Sequence, residues 1–315
     1  RLSATTALTI EGQAAVAEFE MEQGEIAEFM LGGAGDEQVK ATRCDCDLKS
    51  TVNFWQHWSR HSNYRGRWRE TVNRSALALK LLTSRKHGGI VAAATFGLPE
   101  EEGGERNWDY RYTWIRDASF TVYAFMRLGY TEEANDFMKW VRERMGDCCE
   151  ESTRLGILYA LDGREELPEE NLEHLSGYGG ATPVRIGNEA YKQTQLDIYG
   201  ELMDAVYLAN KYGEAISHEG WKHATRLVND LCETWNSKDV GIWEMRGDDQ
   251  HFLHSRLMCW VALDRALRLS LKRSLPAPFE KWDKTRQAIH DDIWENFWDP
   301  ELGHFVQHKG SKNLD

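Results

Sequence analysis

Two runs of the chain carry residue types that could do chemistry on a polar, ring-shaped ligand. From Asn107 to Asp117, NWDYRYTWIRD, two Trp, two Tyr, two Arg and two Asp crowd together with almost nothing aliphatic. A core strand would be rich in Val and Ile, and a solvated loop would not carry Trp108 and Trp114 beside Arg111 and Arg116. Arg116 and Asp117, side by side, combine a fork of donors with a fixed set of acceptors, which suits a vicinal pair of sugar hydroxyls. Tyr110, Tyr112, Trp108 and Trp114 supply flat faces on which the apolar side of a pyranose can rest. Asp117 has a competing use as a helix cap.

The second run is Gly241 to Ser255, GIWEMRGDDQHFLHS. Glu244 lies between Trp243 and Met245, neighbours that disfavour ionisation and raise a carboxyl pKa, as a general acid requires near neutral pH. Such a carboxyl can protonate a glycosidic oxygen as the bond breaks. The competing reading pairs Glu244 with Arg246 at a helix entry. His254 either orients a carboxylate near Glu244 or is a structural histidine.

A third segment, HLSGYGGATPVRIGNEAYKQTQ from His174, lets the backbone approach a ligand at its glycines, although a structural turn is the simpler role. It lacks the Lys-Ser/Thr and preceding strand of a phosphate loop. Arg185 and Glu189 could reach a ligand from the helix start that follows. Histidine spacings, His218 with His223 and His251 with His254, match no metal motif, so neither a metal nor a cofactor is expected.

Helices must position these runs. Beyond Asp36 the apolar period is helical: Trp68, Val72, Ser75, Ala76, Leu79 and Leu82 share a face. Further helices are expected from Asp117 to Leu128, from Thr131, through Leu196 to Val206, from Ser217 to Trp235, from Leu257, and after Pro278. The loops alternate short with long. The long ones, 88–116, 147–188 and 237–251, hold the unusual compositions, and a circular array of helix pairs would gather them at one end. Before Asp36, Ala15, Ala17, Phe19 and Met21 alternate with Glu18, Glu20 and Glu22. That is a strand period, giving about three strands with turns at EGQ and EQGE.

Composition bounds the partners. The 315 residues are 41% hydrophobic and 28% charged, as in a folded globular protein, and the net charge of -13 argues against nucleic acid. No apolar run is long enough to span a bilayer. The six cysteines, Cys44, Cys46, Cys148, Cys149, Cys232 and Cys259, form no disulfide framework and read as free thiols in a reducing compartment, hence cytoplasmic. A homo-oligomer is compatible with all of this.

Taken together, YRGRWRETVNRSALALKLLT, GGIVAAATFGLPE, NWDYRYTWIRDASFTVYAFMRLGY, GYGGATPVRIGNEAYKQTQLDIYGEL, GIWEMRGDD and HSRLMCWVALDRA resemble glycoside hydrolase family 15, the glucoamylase, glucodextranase and trehalase-like group. The resemblance implies a mainly α fold. In it, the last strands of a β-sandwich (1–40) and a linker helix region (41–65) precede the first part of an (α/α)6 barrel (66–315). It implies that Arg116 and Asp117 grip the non-reducing glucose, that Tyr110 and Trp114 line that subsite with Trp243 and Arg185 beside it, and that Glu244 is the general acid. Inversion at the anomeric carbon needs a second carboxylate, about 6.5–9.5 Å away, to activate water. In the family it lies late in the barrel, so it is expected beyond Asp315, with this chain a middle portion of the enzyme.

The leading expectation is thus an inverting, exo-acting α-glucoside hydrolase of glucoamylase type acting on an oligosaccharide. The alternatives are a trehalase of the same family and a non-catalytic carbohydrate-binding protein. A helical-barrel cyclase would want an acid-rich run, and Asp248-Asp249 and Asp291-Asp292 are only pairs.

Overall fold

The computed structural model describes residues 1–33, 35, 39–41, 44–147 and 155–314. Cys148 and Cys149 lie outside these residues; the described cysteines, Cys44, Cys46, Cys232 and Cys259, are free thiols. The chain forms two compact units, Arg1–His61 and Ser62–Asp315.

In the first unit, β1 (Leu2–Ala4) pairs antiparallel with β4 (Phe29–Leu31), and β2 (Thr9–Glu11) with β3 (Ala14–Val16). EGQ and EQGE are both turns: Gly12 links β2 to β3, and Glu25 N–H donates to the Glu22 carbonyl at 3.2 Å. The expected alternation through Phe19 and Met21 is not a strand, because β3 ends at Val16. Both side chains are exposed, and a strand period without a buried face has nothing to hold its register. Helix α1 (Cys44–Ser59) completes the unit.

The second unit is built from helical hairpins. Helix α2 (Arg69–Leu81) packs on α3 (Ile115–Leu128), and α3 turns through Gly129 into α4 (Thr131–Asp147). Then come α5 (Asp197–Tyr212), α6 (His218–Thr234), α7 (Leu253–Arg273) and α8 (Phe279–Asn296). Ser217 caps α6 by accepting from the Gly220 N–H at 3.1 Å.

Helices α3, α5 and α7 are neighbours, while α4, α6 and α8 pack behind them and against one another. The composition of α5 explains its inner place. Ile198, Leu202, Met203, Ala205, Val206 and Ala209 are buried on both flanks, against α3 and α7. By contrast α6 has one apolar stripe of Trp221, Ala224, Leu227, Val228 and Leu231 and a polar outer face.

The connections within hairpins are short, and those entering α3, α5 and α7 are long. Three long loops therefore collect at the N-terminal ends of the inner helices. Short ladders stitch them: β5 (Thr113–Trp114) to β6 (Leu158–Tyr159), and β7 (Glu170–Asn171) to β8 (Arg185–Ile186). A last hairpin joins β9 (Trp298–Asp299) to β10 (His304–Phe305).

Candidate functional site

The loop before α3 is fixed by buried polar groups. Asp109, fully buried, accepts from Arg111 Nε at 2.8 Å and Nη2 at 2.7 Å, and from the Gly187 N–H at 3.2 Å. Gly187 has φ of 81°, and a Cβ there would collide with the Pro168 carbonyl, so only glycine lets this strand come so close. Asn107, also buried, donates to the Pro183 carbonyl at 2.9 Å. These contacts hold the aromatic residues between them at fixed positions.

Trp114 precedes α3 with extended backbone, and the helix has no side-chain cap. Asp117 is thus not the cap that its position suggested: it lies inside the first turn, where the helix macrodipole favours its charge. Arg116, one residue earlier, has a side chain only 12% exposed and is the electrostatic hub. Its Nη2 lies 3.4 Å from Asp117 Oδ2 and 3.3 Å from Glu244 Oε1, and its Nη1 donates to Gln195 Oε1 at 2.9 Å.

Glu244 arrives on the loop between α6 and α7, closed at its base by the bridge between Asp239 and Gln250. Asp239 is buried; its Oδ2 accepts from the Leu196 N–H at 2.9 Å and from Ser255 Oγ at 2.6 Å, tying the loop to the starts of α5 and α7. Gly241, with φ of 68°, turns the chain where a Cβ would press on the Phe252 ring. Glu244 itself has φ of 52°, a left-handed conformation that costs a non-glycine residue about 1–2 kcal/mol.

The carboxyl of Glu244 accepts from Trp114 Nε1 at 2.7 Å. Burial pushes its pKa up, while Arg116, Trp114 and Gln195 pull it back. The desolvation expected from Trp243 and Met245 has a different source, since both are well exposed. Surroundings brought from α3 and the loop before α5 bury this carboxyl instead. Nor is its partner Arg246, which lies 2.6 Å from Glu169.

Glu244, Trp114, Arg116 and Arg246 line a pocket of about 920 Å³ together with Trp108, Tyr110, Asp117, Asn188 and Trp243. Tyr110 and Trp114 have ring centroids 6.0 Å apart, and Tyr110 Oη donates to Glu100 Oε1 at 3.3 Å. Burial, with the Glu100 charge second, pushes the Tyr110 phenol up to about 12, so it stays a neutral donor.

Of the site residues expected from sequence, Tyr110, Trp114, Arg116, Asp117, Trp243 and Glu244 line this pocket, and Arg185 is not among its lining residues. Arg185 pairs with Glu169 at 3.6 Å and lies 4.7 Å from the Trp108 ring, which Arg246 also approaches at 4.1 Å. Glu189 pairs with Lys192 at 2.5 Å, and His254 lies 3.8 Å from Asp197. Sequence reasoning missed Gln195, Asp197 and Asp239, whereas Trp108, read there as a flat face for a sugar, does line the pocket. The available signal was polar residues at the mouth of α5, where its apolar period begins. Among the described residues no cluster of His, Cys, Asp and Glu suits a metal ion, and no helix is long and apolar enough to cross a membrane.

Paired helices with long loops gathered into one pocket place the molecule in the class of (α/α)6-barrel proteins. A bacterial glucoamylase crystallised with acarbose shares this fold, with a TM-score of 0.57 at 13% identity over 92% of this chain and 39% of that one. A wild-type glycosidase shares it with a TM-score of 0.57 at 20% identity over 78% of this chain and 61% of that one. The chain belongs to glycosyl hydrolases family 15, which it matches over residues 66–315. It is 38% identical to a trehalase of Mycobacterium tuberculosis (strain ATCC 25618 / H37Rv) over all of its own length and 46% of that protein. A trehalase of Thermoplasma acidophilum is 37% identical over 85% of this chain and 45% of that protein. The chain spans about half the length of these relatives.

Proposed function

We propose that the full-length protein hydrolyses the glycosidic bond of trehalose, with Glu244 as the general acid. The observation that carries the chemistry is the setting of that carboxyl: held by Trp114 and Arg116 in a pocket walled by Tyr110 and Trp114, with its pKa raised by burial. The names of the similar proteins favour trehalose over the starch-like substrates of a glucoamylase, whose likeness here is one of fold.

In this reading Arg116 and Asp117 bind hydroxyls of one glucose, and the aromatic rings meet its apolar face. Glu244 gives its proton to the bridging oxygen as the bond to the anomeric carbon breaks. Water adds to that carbon from the opposite face, passing a proton to a carboxylate base, and the configuration inverts. Among the described residues the pocket's other carboxylates have other uses in this reading, Asp117 at the sugar hydroxyls and Glu100 as acceptor for Tyr110, so the base is assigned to the remainder of the full-length protein.

The test is a panel of trehalose, maltose, isomaltose and starch, with the product anomers followed by proton NMR. Trehalose is expected to give the highest kcat/KM, releasing β- and α-glucose in equal amounts. A preference for maltose or starch would return the reading to glucoamylase-type action, and two α-glucose products would exclude inversion. Glu244→Gln is expected to lower kcat by about 10²–10⁴-fold with little change in KM. Near-normal turnover would overturn the acid assignment, whereas a protein that binds sugar but turns over no substrate would be a binding module.

A further inference from the structure

Among the described residues, the proposed chemistry leaves a fully buried carboxylate beside Arg116 without a role. Asp197 opens α5, its side chain is 0% exposed, and among the described residues its carboxylate oxygens have no close hydrogen bond, only looser contacts with Arg116 and the first backbone amides of α5. Burying a carboxylate in that state is costly unless a cation compensates it. The cation is Arg116, whose Nη1 lies 3.6 Å from Asp197 Oδ2 while its Nη2 lies 3.3 Å from Glu244 Oε1. One guanidinium therefore stands between two carboxyls.

That arrangement answers a difficulty in the site. A guanidinium this close to a carboxyl favours its ionised form and lowers its pKa by about 1–3 units, yet a general acid must hold its proton near the working pH. Something must offset the charge of Arg116. Asp117 does so in part: its Oδ2, on the guanidinium, is covered, but the side chain as a whole is 43% exposed, so its charge is weakened by water more than one wholly out of solvent. Asp197 lies out of water, where a charge acts most strongly.

We propose that Asp197 is a positioning residue for the reaction, holding one prong of Arg116 and supplying the negative charge that lets Glu244 stay protonated beside the other. The proposal rests on Glu244 being the general acid.

The surroundings of Asp197 are mixed. Arg116 faces it from α3, with Asp117 on the other prong of that guanidinium, and His254 and Cys259 face it from α7. Glu201 and Asp204 follow along α5, Asp239 comes from the loop before α7, and Glu244 from that loop stands on the far prong of Arg116. Burial pushes the Asp197 carboxyl up, and Arg116 together with the first backbone amides of α5 pulls it down.

The test is the pH profile of kcat/KM for the full-length protein on the best substrate of the panel. Asp197→Asn keeps the shape and removes the charge. Glu244 then loses its proton more readily, and the alkaline limb is expected to move down by about one pH unit. Above the limb, turnover falls about tenfold, while on the acid side it approaches that of the unmodified protein. A residue with a merely structural role would lower activity at every pH. Asp197→Glu, which keeps the charge, is expected to restore the limb.

If Asp197→Asn fails to fold, Asp197→Ser, a smaller neutral residue that keeps an acceptor for the Arg116 guanidinium, makes the same comparison. The limb is expected to fall as it does for Asn. A limb that does not move in a folded neutral variant, with Glu244→Gln inactive, overturns the role of Asp197. Activity retained by Glu244→Gln overturns the acid reading instead.

Discussion

The indole Nε1 of Trp114 donates to Oε1 of Glu244 at 2.7 Å, joining residues 130 positions apart. A donor aimed at a carboxylate stabilises its charged form, so this bond opposes the burial that raises Glu244. Trp114→Phe keeps a ring and removes the donor. The alkaline limb of the kcat/KM profile should rise by about one pH unit, with about tenfold lower kcat at the optimum because the carboxyl is less well placed. A limb that stays put would mean that the bond does not govern the proton.

Asp239 anchors the loop that carries Glu244, through the Leu196 N–H and the Ser255 hydroxyl. Asp239→Ala leaves both donors buried without that acceptor and should cost about 2–4 kcal/mol in urea unfolding. Activity at a temperature where the variant is folded should also fall, since the loop loses its tie to the inner helices.

At the pocket mouth, Arg246 covers Trp108 and pairs with Glu169. It is half exposed, so the ion pair adds little to stability. Arg246→Ala should raise KM about three- to tenfold with a smaller change in kcat, as expected for a group that shapes the mouth. Steady-state kinetics decide: a fall in kcat at unchanged KM would place Arg246 in the chemistry instead.

Glu201, buried one turn along α5 from Asp197, has its pKa raised to about 8 by burial first and by the Asp197 charge second. In the unfolded chain it returns to the ordinary value of 4.5. Between about 4.5 and 8 the folded state therefore holds the extra proton, and stability falls as pH rises through that window. Glu201→Gln should flatten the fall, so its Tm should exceed that of the unmodified protein toward pH 8 and differ least at acid pH. Parallel Tm curves would contradict the raised value.

Much of the helical layout was legible because periodicity is a local property. The turn at Gly129, the cap at Ser217 and the closure near Gly213 follow from residues within a few positions of each other. The same reasoning failed at Phe19 and Met21, where alternation without burial makes no strand, and at Asp117, where helix α3 begins two residues earlier. In the candidate site, the aromatic and Arg-Asp run was visible because its composition is improbable for a strand or a loop. Trehalose as the substrate was an alternative in the sequence reading, and similarity to trehalases moved it ahead of glucoamylase-type action.

By itself, the sequence determined which residue types were at hand and which segments would be helical: an acid at Glu244, a guanidinium at Arg116, and flat rings at Tyr110 and Trp114. Only the tertiary structure decided how they are paired. Burial of Glu244 comes from α3 and the loop before α5, not from Trp243 and Met245. Arg116, rather than Arg246, is its cation, and Asp197 stands on the far prong of that cation. Spacing along the chain sets local geometry, whereas the ionisation of a buried carboxyl depends on charges and solvent within a few ångströms, and these are supplied by segments brought together only when the inner helices pack.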